Sequence, residues 1–280
     1  MKISLITTAW NSGETIRDTL ESALKQTYSE FEHIIVDGAS SDNTMEIVKE
    51  FEPRYNGRLK YISEPDHGIY DAMNKGLKMA TGDVIGILNS DDFFSAPDIL
   101  QTVAENIENV DAVYADVHYI KDNDINHGVR YYSSRRFRKW KMRLGFMPAH
   151  PTFYCKKNIY DIYGYFKHDF KIASDFELLL RFIYLHNIKT NYIQRNFVTM
   201  RIGGASTSGL QSHIQILKDH MKAYKINGVY SNYLLEGLRY IYKLLEISYY
   251  RLRLPIDKRR NLKNTDTLKN ITPTEYISTW

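Results

Sequence analysis

Hydrophobic and polar positions alternate along the first 120 residues in a repeating rhythm. The run "KISLITTAW" (2–10) is β-rich and ends at Asn11, Ser12 and Gly13, after which Ile16, Leu20, Ala23 and Leu24 recur at helical spacing. "HIIVDG" (33–38) leads through the polar turn "ASSDNT" to Ile47, Val48 and Phe51, again helically spaced, with Asp42 as the expected N-cap. The pattern continues with a strand at "LKYISEP" (59–65), a helix at "GIYDAMNKGLKMA" (68–80) and a strand at "DVIGIL" (83–88). A helix then opens at "SAPD", with Ser95 as cap and Pro97 in its first turn, before the strand "DAVYADVHYI" (111–120). Strands alternating with helices of about ten to fifteen residues predict βαβ crossovers and a mostly parallel, Rossmann-like α/β sheet flanked by helices.

In open sheets of this kind, ligands bind beyond the carboxyl ends of the strands. Segments 7–11, 37–41, 64–68 and 89–92 are therefore expected on one rim. After residue 125 the rhythm loosens until "ASDFELLLRFIYLH" (173–186), where Phe176, Leu179, Leu180 and Ile183 predict a packed helix. Two long helical patterns follow from Gln211. The second, Tyr233 to Leu254, carries Leu234, Leu238, Tyr242, Leu245, Tyr249 and Leu252 on one face, flanked by Arg239, Lys243, Arg251 and Arg253. Such a face either docks on the domain or lies in a membrane interface. Residues 264–280 predict no element, and no internal repeat is present.

Composition adds limits. A chain of 280 residues, 43% hydrophobic and 25% charged, supports one large α/β domain with an appendage. The single cysteine, Cys155, excludes an internal disulfide framework. Neither a signal peptide at Met1 nor an uninterrupted apolar run of about 18 residues is present, so cytoplasmic residence is expected. The net charge of +4 is unevenly spread: "RRFRKWKMR" (135–143) holds six basic residues and no acid, and "RLRLPIDKRRNLK" (251–263) is nearly as basic. Such blocks meet phosphate or remain as solvated surface. No nucleic-acid module accompanies them, which leaves an anionic membrane, the inner face of the plasma membrane, as the expected phosphate surface.

The stretch "GDVIGILNSDDFF" runs an apolar strand into adjacent aspartates, a placement that needs a compensating positive charge. Dinucleotide and P-loop phosphate cradles, zinc-ligand spacing and a Gly-x-Ser-x-Gly elbow are all missing. Oxygen ligands at Asn89 to Asp92 suit Mg²⁺ or Mn²⁺ held together with a substrate diphosphate. As an alternative, Asp91 and Asp92 are turn formers.

Together "ISLITTAWN", "IIVDGASSDNT", "SEPDHGIYDAMNKGLKMATGDVIGILNSDD" and "ASDFELLLR", in this order, resemble the family 2 glycosyltransferases of GT-A fold. The resemblance is strong over 2–118, fair over 145–206 and absent beyond about 210. It implies a GT-A nucleotide-sugar domain at 1–208, with a donor half (1–120) and an acceptor half (121–208), followed by a helical, basic extension at 209–280. It further implies an inverting, metal-dependent transfer of sugar from a nucleotide diphosphate, most simply a UDP-sugar, to a glycan or lipid-linked acceptor in surface polysaccharide synthesis. Under that resemblance Thr7, Thr8, Ala9 and Asn11 hold base and ribose, Asp37 accepts from the base, and Asp66 and Gly68 lie beside it. Ser90 belongs to the DxD-like element Asn89–Asp91, whose last aspartate, Asp91, would hold Mn²⁺ or Mg²⁺ with Asp92 in support. Asp175 falls at the position of the catalytic base, with Ser174 where Glu is often found; by itself it also reads as an ordinary helix-opening acid. Asp71, Asn74 and Lys75 shape the sugar pocket or form a solvated face, and His150 lies near the acceptor or is structural before Pro151. "RIGGAST" (201–207) reads as a mobile loop from which Arg201 reaches phosphate. Asn89 and Ser174 depart from the family pattern and leave open a second reading, a catalytically weak nucleotide-sugar-binding or scaffold protein of an envelope-assembly complex.

Overall fold

The computed structural model describes residues 1–120, 128–202 and 210–239; the sequence features at 203–209 and beyond 239 lie outside these. In the amino-terminal half, β1 (Ile3–Ala9), α1 (Ile16–Leu24), β2 (Phe31–Asp37), α2 (Thr44–Phe51), β3 (Leu59–Ser63), α3 (Ile69–Met79) and β4 (Val84–Ile87) follow one another as the sequence rhythm requires. Then come β5 (Phe93–Phe94), α4 (Ile99–Asn106), β6 (Ala112–Ile120), β7 (Gly128–Tyr132), β8 (Tyr154–Lys156), α5 (Lys157–Tyr163), α6 (Ser174–Leu179), β9 (Thr190–Arg201) and α7 (Leu210–Ile226).

One nine-stranded sheet runs β3-β2-β1-β4-β8-β6-β9-β5, with β7 paired to β6. The β3-β2-β1-β4 half is wholly parallel. Beyond β4 the sheet is mixed: β8 is antiparallel to β4 and β6, β9 is parallel to β6, and β5 is antiparallel to β9. Strand order turns at β1, since β2 lies on one side of it and β4 on the other, so a crevice opens beyond the carboxyl ends there.

Side chains on successive strand positions serve opposite faces. Ile3 and Leu5 of β1 and Ile35 of β2 join α1, α2 and α4 residues such as Leu20, Val48 and Leu100 in one core. Ile6, Ile34 and Val36 face the other way, onto Tyr70, Met73 and Leu77 of α3 and onto Phe176 and Tyr224. Gly76 lets α3 approach closely: a Cβ there would lie 2.5 Å from Ile6 Cγ2. The helix expected at 173–186 runs as α6 and then as a π-helical turn, Leu180–Leu185. Its Phe176, Leu179 and Leu180 are fully buried.

Local caps differ from expectation at two helices. Ser95 does not cap α4; its hydroxyl donates to Asn196 O (2.5 Å), joining β5 to β9, and Asp98 occupies the N-cap position. Asp42 sits one residue before the N-cap of α2 and still accepts from Thr44 N (3.0 Å).

Candidate active site

Loops at the ends of β1 and β2 are cross-tied. Gly38 N donates to Ala9 O (2.9 Å), Asn11 N to Ser40 Oγ (2.7 Å), Ser41 N to Asn11 Oδ1 (2.9 Å) and Gly13 N to Asp42 Oδ2 (2.9 Å). Asn11 (φ 48°) and Ala39 (φ 59°) both take left-handed backbone, which Asn tolerates and Ala does not favour. Asp37 is buried and organises this rim: it accepts from Ser40 N (3.0 Å), Ser63 Oγ (2.6 Å) and Ser40 Oγ. Thr8 and Ala9 are buried at the end of β1.

Trp10, the next residue, is 70% exposed. A Cβ at Gly38 would lie 2.6 Å from Asp66 Oδ2 and 3.4 Å from Trp10 Cδ1, so the indole, a carboxylate and a side-chain-free backbone converge. Trp10 lies within the rim segment 7–11 expected from the sequence, which assigns the residue itself no role. Asp66 in turn accepts from Gly68 N (2.8 Å), where Gly68 has φ 109°. Asp71 accepts from His67 N (3.1 Å), its carboxylate held below the usual range chiefly by that bond.

Thr7, Asn74 and Arg201 are each engaged within the protein. Thr7 is fully buried, its hydroxyl donating to Leu88 O (2.7 Å) and lying 2.9 Å from His33 Nε2, so its side chain is turned into the core rather than toward the rim. His33 is kept neutral, its pKa lowered to about 3 by burial. Asn74 is neither pocket wall nor solvated face: its amide donates to Phe166 O (2.8 Å) and accepts from Phe166 N (3.0 Å), pinning α3 to the segment before α6. Arg201 is anchored: Nη1 donates to Asp91 O (2.7 Å), and the guanidinium pairs with Asp18 and lies over Phe93 (5.2 Å).

That arginine supplies some positive charge beside the two aspartates, although its ion pair is with Asp18 and its bond at Asp91 is to the main chain. It does not neutralise them fully. Burial raises the pKa of Asp91, and burial together with the neighbouring Asp91 charge pushes Asp92 well above the carboxylate range. Asp92 is fully buried, accepting from Asn89 Nδ2 (3.1 Å), while its Oδ1 and Asn89 Oδ1 find no partner among the described residues. Asp92 is thus closed to direct ligation, and half-buried Asp91 carries the accessible oxygens. Ser90 is bonded to Ser12 (2.8 Å), tying this tip to the β1 loop. Among the described residues no group of three or more His, Cys, Asp or Glu side chains could hold a metal ion. The tip fits a hard divalent cation that arrives with a diphosphate: one desolvated carboxylate whose ionised form a cation would favour, and no ready-made cage.

Asp175 opens α6, half-buried, with Phe176 N donating to its Oδ1 (2.8 Å). Its charge reaches Tyr70 of α3, raising the phenol further after burial, and His150, whose pKa burial lowers and Asp175 partly restores. Tyr70 donates to Ile172 O, so α3 grips the Asp175 segment directly. Ser174 is buried and closes its own loop, accepting from Lys167 N (2.9 Å) and donating to Lys167 O (2.8 Å).

Two buried acids escaped the sequence reading. Asp219 of α7 accepts from three successive backbone N–H groups, Lys171 (3.1 Å), Ile172 (2.7 Å) and Ala173 (3.0 Å), immediately before Asp175. Asp116 of β6 accepts from Tyr131 (2.8 Å), Tyr192 (2.9 Å) and Ser134 N (2.7 Å). Only the folded chain brings these partners together.

A family model described as "Glycosyl transferase family 2" matches residues 4–166. The chain belongs to glycosyltransferase family 2. An uncharacterized glycosyltransferase of Mycobacterium tuberculosis is 33% identical over 184 residues, 64% of this chain and 68% of that one. A "PGL/p-HBAD biosynthesis glycosyltransferase" of Mycobacterium bovis is 29% identical over 181 residues, with the same two coverages of 64% and 68%. Among solved structures, S. aureus TarS 1-349 with UDP-GlcNAc superposes with a TM-score of 0.63 at 20% identity, covering 92% of this chain and 78% of that one. The mannosyltransferase PcManGT from Pyrobaculum calidifontis, with GDP-Man and Mn²⁺, gives 0.58 at 16% identity, covering 88% and 80%. The chain spans 43% of a longer TarS chain. The GT-A fold is common to this family 2 chain and these structures.

Proposed function

We propose that this family 2 chain is an inverting glycosyltransferase that uses a UDP-sugar and a divalent cation to glycosylate a hydroxyl of a glycan or lipid-linked acceptor. The observation that carries the reading is the under-compensated carboxylate of Asp91 at the tip of the strand beside the sheet's turning point. Mn²⁺ or Mg²⁺ there would neutralise charge on the departing diphosphate. Trp10 offers a stacking platform for the base, with Asp66 beside it for ribose or base and Asp37 fixing the loop beneath. Support comes from structurally similar TarS, solved in complex with UDP-GlcNAc, from PcManGT, solved in complex with GDP-Man and Mn²⁺, and from the M. bovis relative named for PGL/p-HBAD biosynthesis.

Asp175 is the proposed base. It takes the acceptor proton as the acceptor oxygen attacks the anomeric carbon from the face opposite the diphosphate. The new carbon–oxygen bond forms as the bond to the diphosphate breaks, and that pair of electrons leaves with the diphosphate. Screening UDP-, GDP- and dTDP-sugars with Mn²⁺ by thermal shift, then assaying transfer, tests the reading. Asp175→Asn should lower kcat about 10²- to 10⁴-fold while leaving donor binding intact; normal transfer by this variant would remove Asp175 from its role.

A further inference from the structure

A basic, aromatic turn and an outward-facing helix meet on one side of the acceptor half. Residues 139–144 form a 3-10 turn, in which side chains three apart share a face. Met142 is its buried side, with Tyr224 donating to Met142 O (2.7 Å). Trp140 is 59% exposed, and Arg143, three residues on, lies over the Tyr230 ring (5.5 Å) and donates to Tyr230 O (2.8 Å).

Residues 233–239 are helical. Glu236 points inward, fully buried, bonded to His220 (2.8 Å) and Tyr224 (2.6 Å), and Arg239 reaches Gly145 O (2.9 Å). At 3.6 residues per turn, Leu234 and Leu238 stand opposite Glu236. They are 77% and 40% exposed. The first two positions of the apolar face seen in the sequence, Leu234 and Leu238, are therefore turned away from the protein. Beside it, residues 135–143 contribute six basic side chains and no acid.

We propose that Trp140, Tyr230, Leu234 and Leu238, rimmed by the basic run 135–143, form a docking surface for an anionic phospholipid bilayer. Aromatic rings and leucines enter the headgroup boundary while Arg and Lys meet lipid phosphate. A symmetric second copy would set the basic run against itself, and nucleic acid offers no counterpart for two outward leucines. Among the described residues no helix is long and apolar enough to cross a membrane.

Flotation of the full chain with vesicles of phosphatidylglycerol and phosphatidylcholine, against phosphatidylcholine alone, tests the proposal. The chain should float with the anionic vesicles, less so at high salt. Leu234→Ser with Leu238→Ser should weaken partition at least about tenfold, and Arg138→Gln about fivefold. Thermal unfolding and UDP–Mn²⁺ binding of these variants should match the parent, which separates failure of docking from misfolding and from failure of the donor reading. The proposal is overturned if the parent chain ignores anionic vesicles, if the variants bind them equally well, or if the variants convert a dimer to monomer.

Discussion

At the amino end of the parallel sheet Glu32 is buried among donors: Lys2 and Lys60 (both 2.8 Å), Ser4 Oγ (2.6 Å) and Thr81 N (2.7 Å). Burial alone would raise its pKa, but these partners outweigh that and hold the carboxylate far below its usual range. At the carboxyl end, Asp91 and Asp92 are also withdrawn from water, yet one arginine and one amide are their main compensation, and both pKa values rise. The same residue chemistry is satisfied where the fold needs a clasp and left short where a charged ligand can complete it.

Breaking the satisfied end should have the largest effect on stability. Glu32→Ala leaves Ser4 Oγ and Thr81 N without their acceptor while the half-exposed Lys2 and Lys60 return to water, an expected loss of about 1–3 kcal/mol in denaturant unfolding. Because the folded pKa is depressed, the Glu32 contribution is full above its ordinary carboxylate pKa and is lost as pH falls through the folded value, so the variant should show a flatter acid limb. An unchanged midpoint would show that the clasp is idle.

The side of the contrast that holds the proposed base is sharpened by Asp219, which accepts from the backbone leading into Asp175. Asp219→Asn weakens a charge-assisted hold on three N–H groups and should lower kcat about tenfold, with donor KM unchanged. A change in donor KM alone would place its influence elsewhere.

The smallest effect should come from Asp92→Asn, and it should be favourable to the fold. A carboxyl whose folded pKa is raised supports stability fully below its ordinary pKa and loses that support as pH rises. The uncharged amide removes this penalty, so Tm should rise at neutral pH and lose part of its pH dependence. A fall in Tm would mean that Asp92 is held ionised.

Much of this was legible in the sequence because β1, β2, α1 and α3 announce themselves by local periodicity, and because the DxD-like tip follows a buried strand. Strand position gave the rim but not the side-chain direction, so Thr7, turned into the core under Leu88 O, reads like a rim residue. Asn74 and Phe166 are 92 residues apart, and Ser95 and Asn196 are 101 apart; such partners have no local signature. Asp219 was invisible for the same reason: a helical acid shows its purpose only when the loop it holds is in place.

The account stands most directly on UDP binding measured calorimetrically with and without Mn²⁺, in the parent chain and in Asp91→Asn. It predicts Mn²⁺-dependent UDP binding in the parent and a loss of that dependence in the variant. UDP binding that ignores both the cation and Asp91 would contradict it.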